Sequence, residues 1–205
     1  MNRDEKRLSP LAKKFRPAKQ GNVEIDRITV TKLDAVMSTI HGSPAYEGTY
    51  ARLRINGTVV MSDTQMEHRT NSEFLYRAHG HVLLAGLGLG LVLDGLRNNM
   101  DRIQSITVVE LSQDVIDLVA KKYKHPKIKI VQGDITTWEP PAGMKYDIIY
   151  FDIWPEISED NLELMAQLGR RFAKYKNRSN PKAWMESWSR REMRANARSS
   201  YRAFY

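Results

Sequence analysis

The sequence predicts an α/β fold: a doubly wound parallel sheet of about five strands, truncated at its far end, with a small N-terminal β-hairpin region. Three observations predict it. From residue 81 onward, short apolar runs suited to strands alternate with segments of helical period. A glycine-rich turn, Gly86-Leu87-Gly88-Leu89-Gly90, stands between the first of these strands and the first of these helices, where a chain must turn tightly. Upstream, Asn56-Gly57 separates two β-rich runs, and that dipeptide readily supplies the positive φ angles of a tight hairpin.

A chain of 205 residues can bury one real core but not two full-sized ones. The organisation read from it is a basic N-terminal arm over 1–20, a β-hairpin region with a short helix over 21–80, a sheet domain over 81–188 and a basic C-terminal helix over 189–205. The absence of cysteine excludes disulfides, zinc-thiolate centres and thiol nucleophiles. No apolar run approaches the roughly 20 residues of a membrane span, and the charged start lacks the apolar stretch of a signal peptide. The expectation is a soluble, cytoplasmic protein with no metal. The net charge of +8 is uneven: residues 1–19 carry 7 Lys/Arg against 2 Asp/Glu, residues 20–168 carry 14 against 20, and residues 169–205 carry 11 against 2. Basic ends flank an acidic middle, so phosphate backbones and acidic surfaces are natural partners of the ends, and plain solubility is the alternative.

Taken in order, the first 20 or so residues lack periodicity and read as an arm ordered only by contact. Residues 23–33 alternate as a half-buried strand does, and the hairpin about Asn56-Gly57 follows. Thr70 and Glu73 have capping-box spacing before a short helix reaching about Ala78. Strands are then expected at 81–85, 105–110, 127–131, 146–153 and 183–188, with helices over 89–99, 113–123 and 159–174. An arginine-rich helix closes the chain.

Chemistry is expected at the carboxyl ends of these strands, where open α/β sheets bind ligands. The glycine turn lets the backbone approach a ligand and offers N–H groups to it, although its G-x-G-x-G spacing puts Leu91 where the dinucleotide fingerprint has its third glycine. Glu110, 20 residues beyond Gly90, ends the second strand, where a carboxylate can accept both hydroxyls of a ribose. Gly133-Asp134 follows the third strand, and Asp134 either accepts from an adenine amino group or caps its own turn. Asp152 ends the fourth strand and is the first choice for a group at the reaction centre, a loop acceptor being the alternative. Glu156 and Asp160 are further carboxylates nearby, Tyr76 and His79 could line the site, and Trp154 could stack on a flat substrate or fill the core.

Together, the glycine loop, Glu110, Gly133-Asp134 and Asp152 resemble the class I S-adenosylmethionine-dependent methyltransferases, whose fold is Rossmann-like. The hairpin about Asn56-Gly57 and the stretch from Asn71 to Tyr76 are similar to the spermidine synthase-like branch, over roughly residues 46–155. The resemblance implies S-adenosylmethionine as cofactor. It implies that Gly86, Leu87, Gly88 and Gly90 wrap its methionine part, Glu110 with Leu111 holds the ribose, Asp134 with Ile135 holds the adenine, and Asp152 lies near its amino group or the reacting centre. It also implies dimers.

Where aminopropyltransferases of that branch have acidic residues, this chain has Leu89 and Pro155, and Val60 stands near the place of their hairpin glutamine. The missing carboxylate at 155 removes the expected base of polyamine chemistry. Methyl transfer to an unidentified acceptor is therefore the leading reading. The alternatives are a non-catalytic scaffold that binds nucleic acid or a partner protein through its basic ends, and aminopropyl transfer. Arg190, Arg194, Arg198 and Arg202 recur every four residues and share one helix face. With Trp184, Trp188, Tyr201 and Phe204 nearby, they could grip a nucleic-acid backbone, or dock on the acidic domain. A sheet that stops after five strands leaves an edge, to be covered by a terminal segment or another subunit.

Overall fold

The computed structural model describes residues 8–40 and 45–203, and the side chains of 39, 40 and 199–203 are not described. Two sheets form. The N-terminal sheet is antiparallel in the order β1 (Ala18–Gln20), β2 (Val23–Val30), β3 (Gly48–Ile55), β4 (Thr58–Ser62). Its β3–β4 hairpin turns at Asn56 (φ 51°) and Gly57 (φ 76°), the left-handed pair that the dipeptide predicts. The second sheet is parallel and built from β5 (Gly80–Ala85), β6 (Ile103–Glu110), β7 (Ile128–Gln132), β8 (Ile148–Phe151) and β9 (Trp184–Ser187). Its spatial order is β7-β6-β5-β8-β9. This is the α/β, Rossmann-like, five-stranded architecture expected, and its strand order reverses between β5 and β8.

The central strands are apolar on both faces because helices cover both. Val82, Leu83, Leu84 and Ala85 of β5 and all four residues of β8 are buried. Right-handed crossovers place α5 (Leu91–Gly95) and α6 (Gln113–Val119) on one face and α7 (Asn161–Phe172) on the other. Short 3₁₀ turns extend all three helices, at Arg97–Asn99, Ala120–Lys122 and Ala173–Tyr175. Met165, Leu168 and Phe172 give α7 its buried stripe at helical spacing. The last helix, α8 (Arg190–Ala203), packs on α7 with Met193 fully buried, and the Trp188 indole N–H donates to the Thr70 hydroxyl at 2.9 Å.

Several elements differ from the sequence expectation, each for a physical reason. The basic arm folds back from Leu8 onward: α1 (Pro10–Lys14) buries Leu11 and Ala12, and buried Asp63 accepts from the N–H groups of both Leu11 (3.0 Å) and Ala51 (2.7 Å). The strand expected over 23–33 stops at Val30. A capping box starts α2 (Lys32–Ile40) there: the Thr31 N–H donates to the Asp34 carboxylate, and the Asp34 N–H to the Thr31 hydroxyl. The capping box expected at Thr70–Glu73 does not form. Thr70 instead ends an unanticipated helix, α3 (Gln65–Thr70), its hydroxyl donates to the Met66 carbonyl, and Glu73 pairs with Arg77 inside α4 (Ser72–Arg77).

Arg171 belongs by charge to the basic end but turns inward, donating to the carbonyls of Ile135 (2.6 Å) and Trp138 (2.7 Å). Of the arginine stripe, Arg190 pairs with Glu186, while Arg194 and Arg198 are exposed and carry no ion pair among the described residues. Phe204 and the side chains of Tyr201 and Arg202 lie outside the described residues. No described helix is long and apolar enough to cross a membrane.

Candidate functional site

A cavity of about 460 Å³ opens at the carboxyl ends of β5, β6, β7 and β8, at the point where the strand order reverses. Its wall brings together Gly86, Leu87 and Gly88 after β5, Glu110 and Leu111 at the end of β6, Gly133, Asp134 and Ile135 after β7, and Asp152 after β8. The hairpin closes the other side with Leu53, Ile55, Val60 and Met61, and Glu67 enters from α3. Glu67, Glu110, Asp134 and Asp152 are its ionisable residues, and among the described residues no Lys, Arg or His lines it.

The glycine loop is shaped by its neighbours on both sides. At Gly86, with φ 95°, an added Cβ would lie 2.0 Å from the backbone oxygen of Asp152. Only glycine lets the end of β5 lie this close to the end of β8. Gly88 faces Met61, whose Sδ accepts from the Leu89 N–H at 3.2 Å, a weak acceptor for a backbone donor. Within the loop, the Leu87 N–H is taken by Glu110 and the Gly90 N–H by the Leu87 carbonyl, whereas the Gly88 N–H has no partner among the described residues.

Gly90 departs from the expected role. It does not line the cavity; it caps α5 in the left-handed conformation, and an added Cβ would strike the ring of Tyr123 at 2.2 Å. The Tyr123 hydroxyl donates to the Leu89 carbonyl at 2.8 Å and so braces the loop from beneath. Lys14 sits over the Tyr123 ring and pairs with Asp94, tying the N-terminal segment to the same support.

Glu110 is 9 % exposed and binds the loop at both oxygens, Oε2 accepting from the Leu87 N–H (2.8 Å) and Oε1 from the Ser112 N–H (2.9 Å). A carboxylate oxygen has a second lone pair, so each can also take a hydroxyl arriving in the cavity. Asp134 spends Oδ1 on its own turn, accepting from both the N–H and the hydroxyl of Thr136, and these bonds hold its carboxyl below the usual carboxylate range. Both roles weighed for it are thus compatible, since Oδ2 has no partner among the described residues. Leu111 is 65 % exposed although it lines the cavity, and Ile135, which also lines it, is buried.

Asp152 and Glu67 form the most perturbed part of the wall. Burial pushes the Asp152 carboxyl up to about 7. Burial and the charge of Asp152 push Glu67 up to about 8, against a hydrogen bond accepted from the Ser62 N–H. Trp154, two residues beyond Asp152, is 8 % exposed, and its indole N–H is buried with no partner among the described residues. Glu67 was not anticipated, and neither were Met61 and the other hairpin residues as loop neighbours. The signal for Glu67 is its place five residues after a hairpin strand, which the missed helix α3 obscured. Glu156, Asp160, Tyr76 and His79 do not line the cavity. Tyr76 is exposed, and His79 bonds to the Arg77 carbonyl and the Asn180 amide.

No protein-family model matches the sequence, and no curated protein matches it. Among solved structures, the chain is similar to the CcbJ methyltransferase from Streptomyces caelestis, at 17 % identity over 54 % of this chain and 45 % of that one, with a TM-score of 0.41. It is similar to an S-adenosylmethionine-dependent methyltransferase from Clostridium acetobutylicum at 16 % identity over 54 % and 44 % of the two chains, with a TM-score of 0.37. For the N-methyltransferase NodS from Bradyrhizobium japonicum the figures are 15 %, 56 %, 65 % and 0.43. The chain spans less than two thirds of the length of each of these proteins, and at such identities nothing about substrates follows from the overlap.

Proposed function

We propose that the protein binds S-adenosylmethionine in this cavity and transfers its methyl group to an acceptor. The observation that carries the proposal is the convergence of Gly86–Gly88, Glu110, Asp134 and Asp152, from four strand ends, on one cavity at the strand-order reversal. The donor set suits the ligand. S-adenosylmethionine presents two ribose hydroxyls, an adenine amino group, an ammonium and a sulfonium, all donors or cations, to a wall of carboxylates. Its one anionic group needs N–H donors, and the N–H of Gly88, which lines the cavity and has no partner among the described residues, supplies one.

In this reading the free lone pairs of Glu110 take the ribose hydroxyls, Oδ2 of Asp134 takes the adenine amino group, and Leu111 and Ile135 offer apolar surface to the base. Asp152 faces the positive end of the ligand. When bound, the cofactor supplies an already activated methyl group, so the protein's task is positioning and water exclusion. The hairpin beside the glycine loop favours affinity with the spermidine synthase-like branch, while Leu89 and Pro155 argue against aminopropyl transfer.

The test is calorimetric titration of the full chain with S-adenosylmethionine and, in parallel, its decarboxylated form. Micromolar binding of the first is the expected result. Preference for the second would transfer the assignment to aminopropyl chemistry, and binding of neither by folded protein would leave a scaffold. Within the same assay, Glu110→Ala is expected to weaken binding by about 1–3 kcal/mol, the range for unpaired ligand hydroxyls, and to loosen the loop by stripping Leu87 and Ser112 of their acceptor. A variant of full affinity would remove Glu110 from the site.

A further inference from the structure

The cavity has more polar equipment than a nucleoside and its methionine tail require. Glu67 from α3 and Asp152 from the end of β8 stand in the same wall, near enough that the charge of one is felt by the other. Close by in the chain, Trp154 holds a buried indole N–H with no partner, and Ile55 and Val60 of the hairpin contribute apolar surface. Buried polar atoms in folded proteins are nearly always paired, and two carboxylates that share a site do not readily both ionise without a cation nearby. No basic side chain of the described residues lines the cavity, so a cationic ligand meets both carboxyl groups without a competing side-chain partner.

We propose that the space between Glu67 and Asp152 is the acceptor subsite and takes a small, partly apolar amine, which makes Glu67 a substrate-binding residue and the reaction an N-methylation. This rests on the methyl-transfer reading above and supplies its acceptor class. An amine answers each feature: its positive charge neutralises the dyad, its carbon chain lies on the hairpin, and a neighbouring oxygen of the substrate accepts from Trp154. A carboxylate acceptor would be repelled by the pair, and a neutral alcohol would gain nothing from its charge. The step balances with groups at hand. The ammonium gives one proton to a carboxylate of the dyad and becomes a free amine. The nitrogen lone pair then forms the N–C bond while the S–CH₃ bond breaks with its electrons staying on sulfur. The product leaves as a methylammonium, and the carboxylate returns its proton to solvent.

The experiment is calorimetry on the full chain, with and without saturating S-adenosylhomocysteine, using n-butylamine, n-butanol and butyrate as probes of equal length. The expected result is that the wild type binds butylamine at least tenfold tighter than the other two. Glu67→Gln, whose amide oxygen can still accept from the Ser62 N–H, should lose at least tenfold in butylamine affinity and keep its S-adenosylhomocysteine affinity within twofold. Equal binding of the three probes by the wild type, or undiminished butylamine binding by Glu67→Gln, overturns the proposal. The selectivity of the wild type decides the matter even if the variant does not fold. Failure to bind S-adenosylhomocysteine strikes the cofactor reading instead, and the probes without it still decide whether the dyad is an amine site.

Discussion

Gly86→Ala is expected to be the most damaging conservative change in the protein, costing more than about 4 kcal/mol, in the range that single substitutions reach only through a specific structural conflict. Its Cβ would lie 2.0 Å from the carbonyl oxygen of Asp152, a backbone atom directly after the strand paired with β5, and it would do so at φ 95°. Neither element can move without breaking parallel pairing in the middle of the sheet. Gly88→Ala is the internal control. There the Cβ meets only Met61 Sδ, at 2.4 Å, which is the far end of a flexible side chain, so the cost is mostly the left-handed backbone, about 1–2 kcal/mol. Urea midpoints of the two variants separate the effects. Equal midpoints would mean that the contact between the glycine loop and the end of β8 is not a constraint on the fold.

Glu67→Gln is expected to be more stable than the wild type at pH 8 and indistinguishable from it near pH 4. Burial and the charge of Asp152 raise the Glu67 carboxyl from 4.5 to about 8 in the folded protein. Between those values the folded state binds more protons than the unfolded one, so wild-type stability falls as pH rises through the window, and the whole deficit is present above pH 8. That deficit is on the order of 5 kcal/mol, and its removal should raise the midpoint of thermal unfolding at pH 8 by roughly 10–20 °C. Asp152, raised to about 7, contributes with the same sign. A variant less stable than the wild type at pH 8 would show that Glu67 is ionised and satisfied in the ligand-free protein. The cost borne by the empty dyad is the counterpart of a site arranged for a cation.

The parts of this architecture visible in the sequence are those written in local patterns. Asn56-Gly57, the apolar runs of β5 and β8 and the carboxylates at strand ends all carry period or turn chemistry within a few residues. Strand order follows once crossovers are right-handed, so Gly86, Glu110, Asp134 and Asp152 could be brought to one edge before any coordinates. What stayed hidden depends on distant partners. Gly90 looks like part of a ligand loop, yet its glycine is demanded by Tyr123, 33 residues later. Thr31–Asp34 and Thr70–Glu73 have the same spacing, and only the first closes a capping box, because Thr70 is committed to Met66 and Trp188. Arg171 counts toward a basic tail by position and works as a clamp on the loop after β7. Glu67 belongs to no motif, and only the folding of α3 onto the cavity puts it in the same wall as Asp152.

The contact between Met61 and the glycine loop has a consequence for binding. The loop amide at Leu89 is held by a thioether, a weak acceptor, on an unbranched side chain whose sulfur follows two rotatable bonds. Any molecule that uses this amide has to displace the tip of one half-buried side chain. A ligand group that reaches this amide therefore has only a weak acceptor to replace.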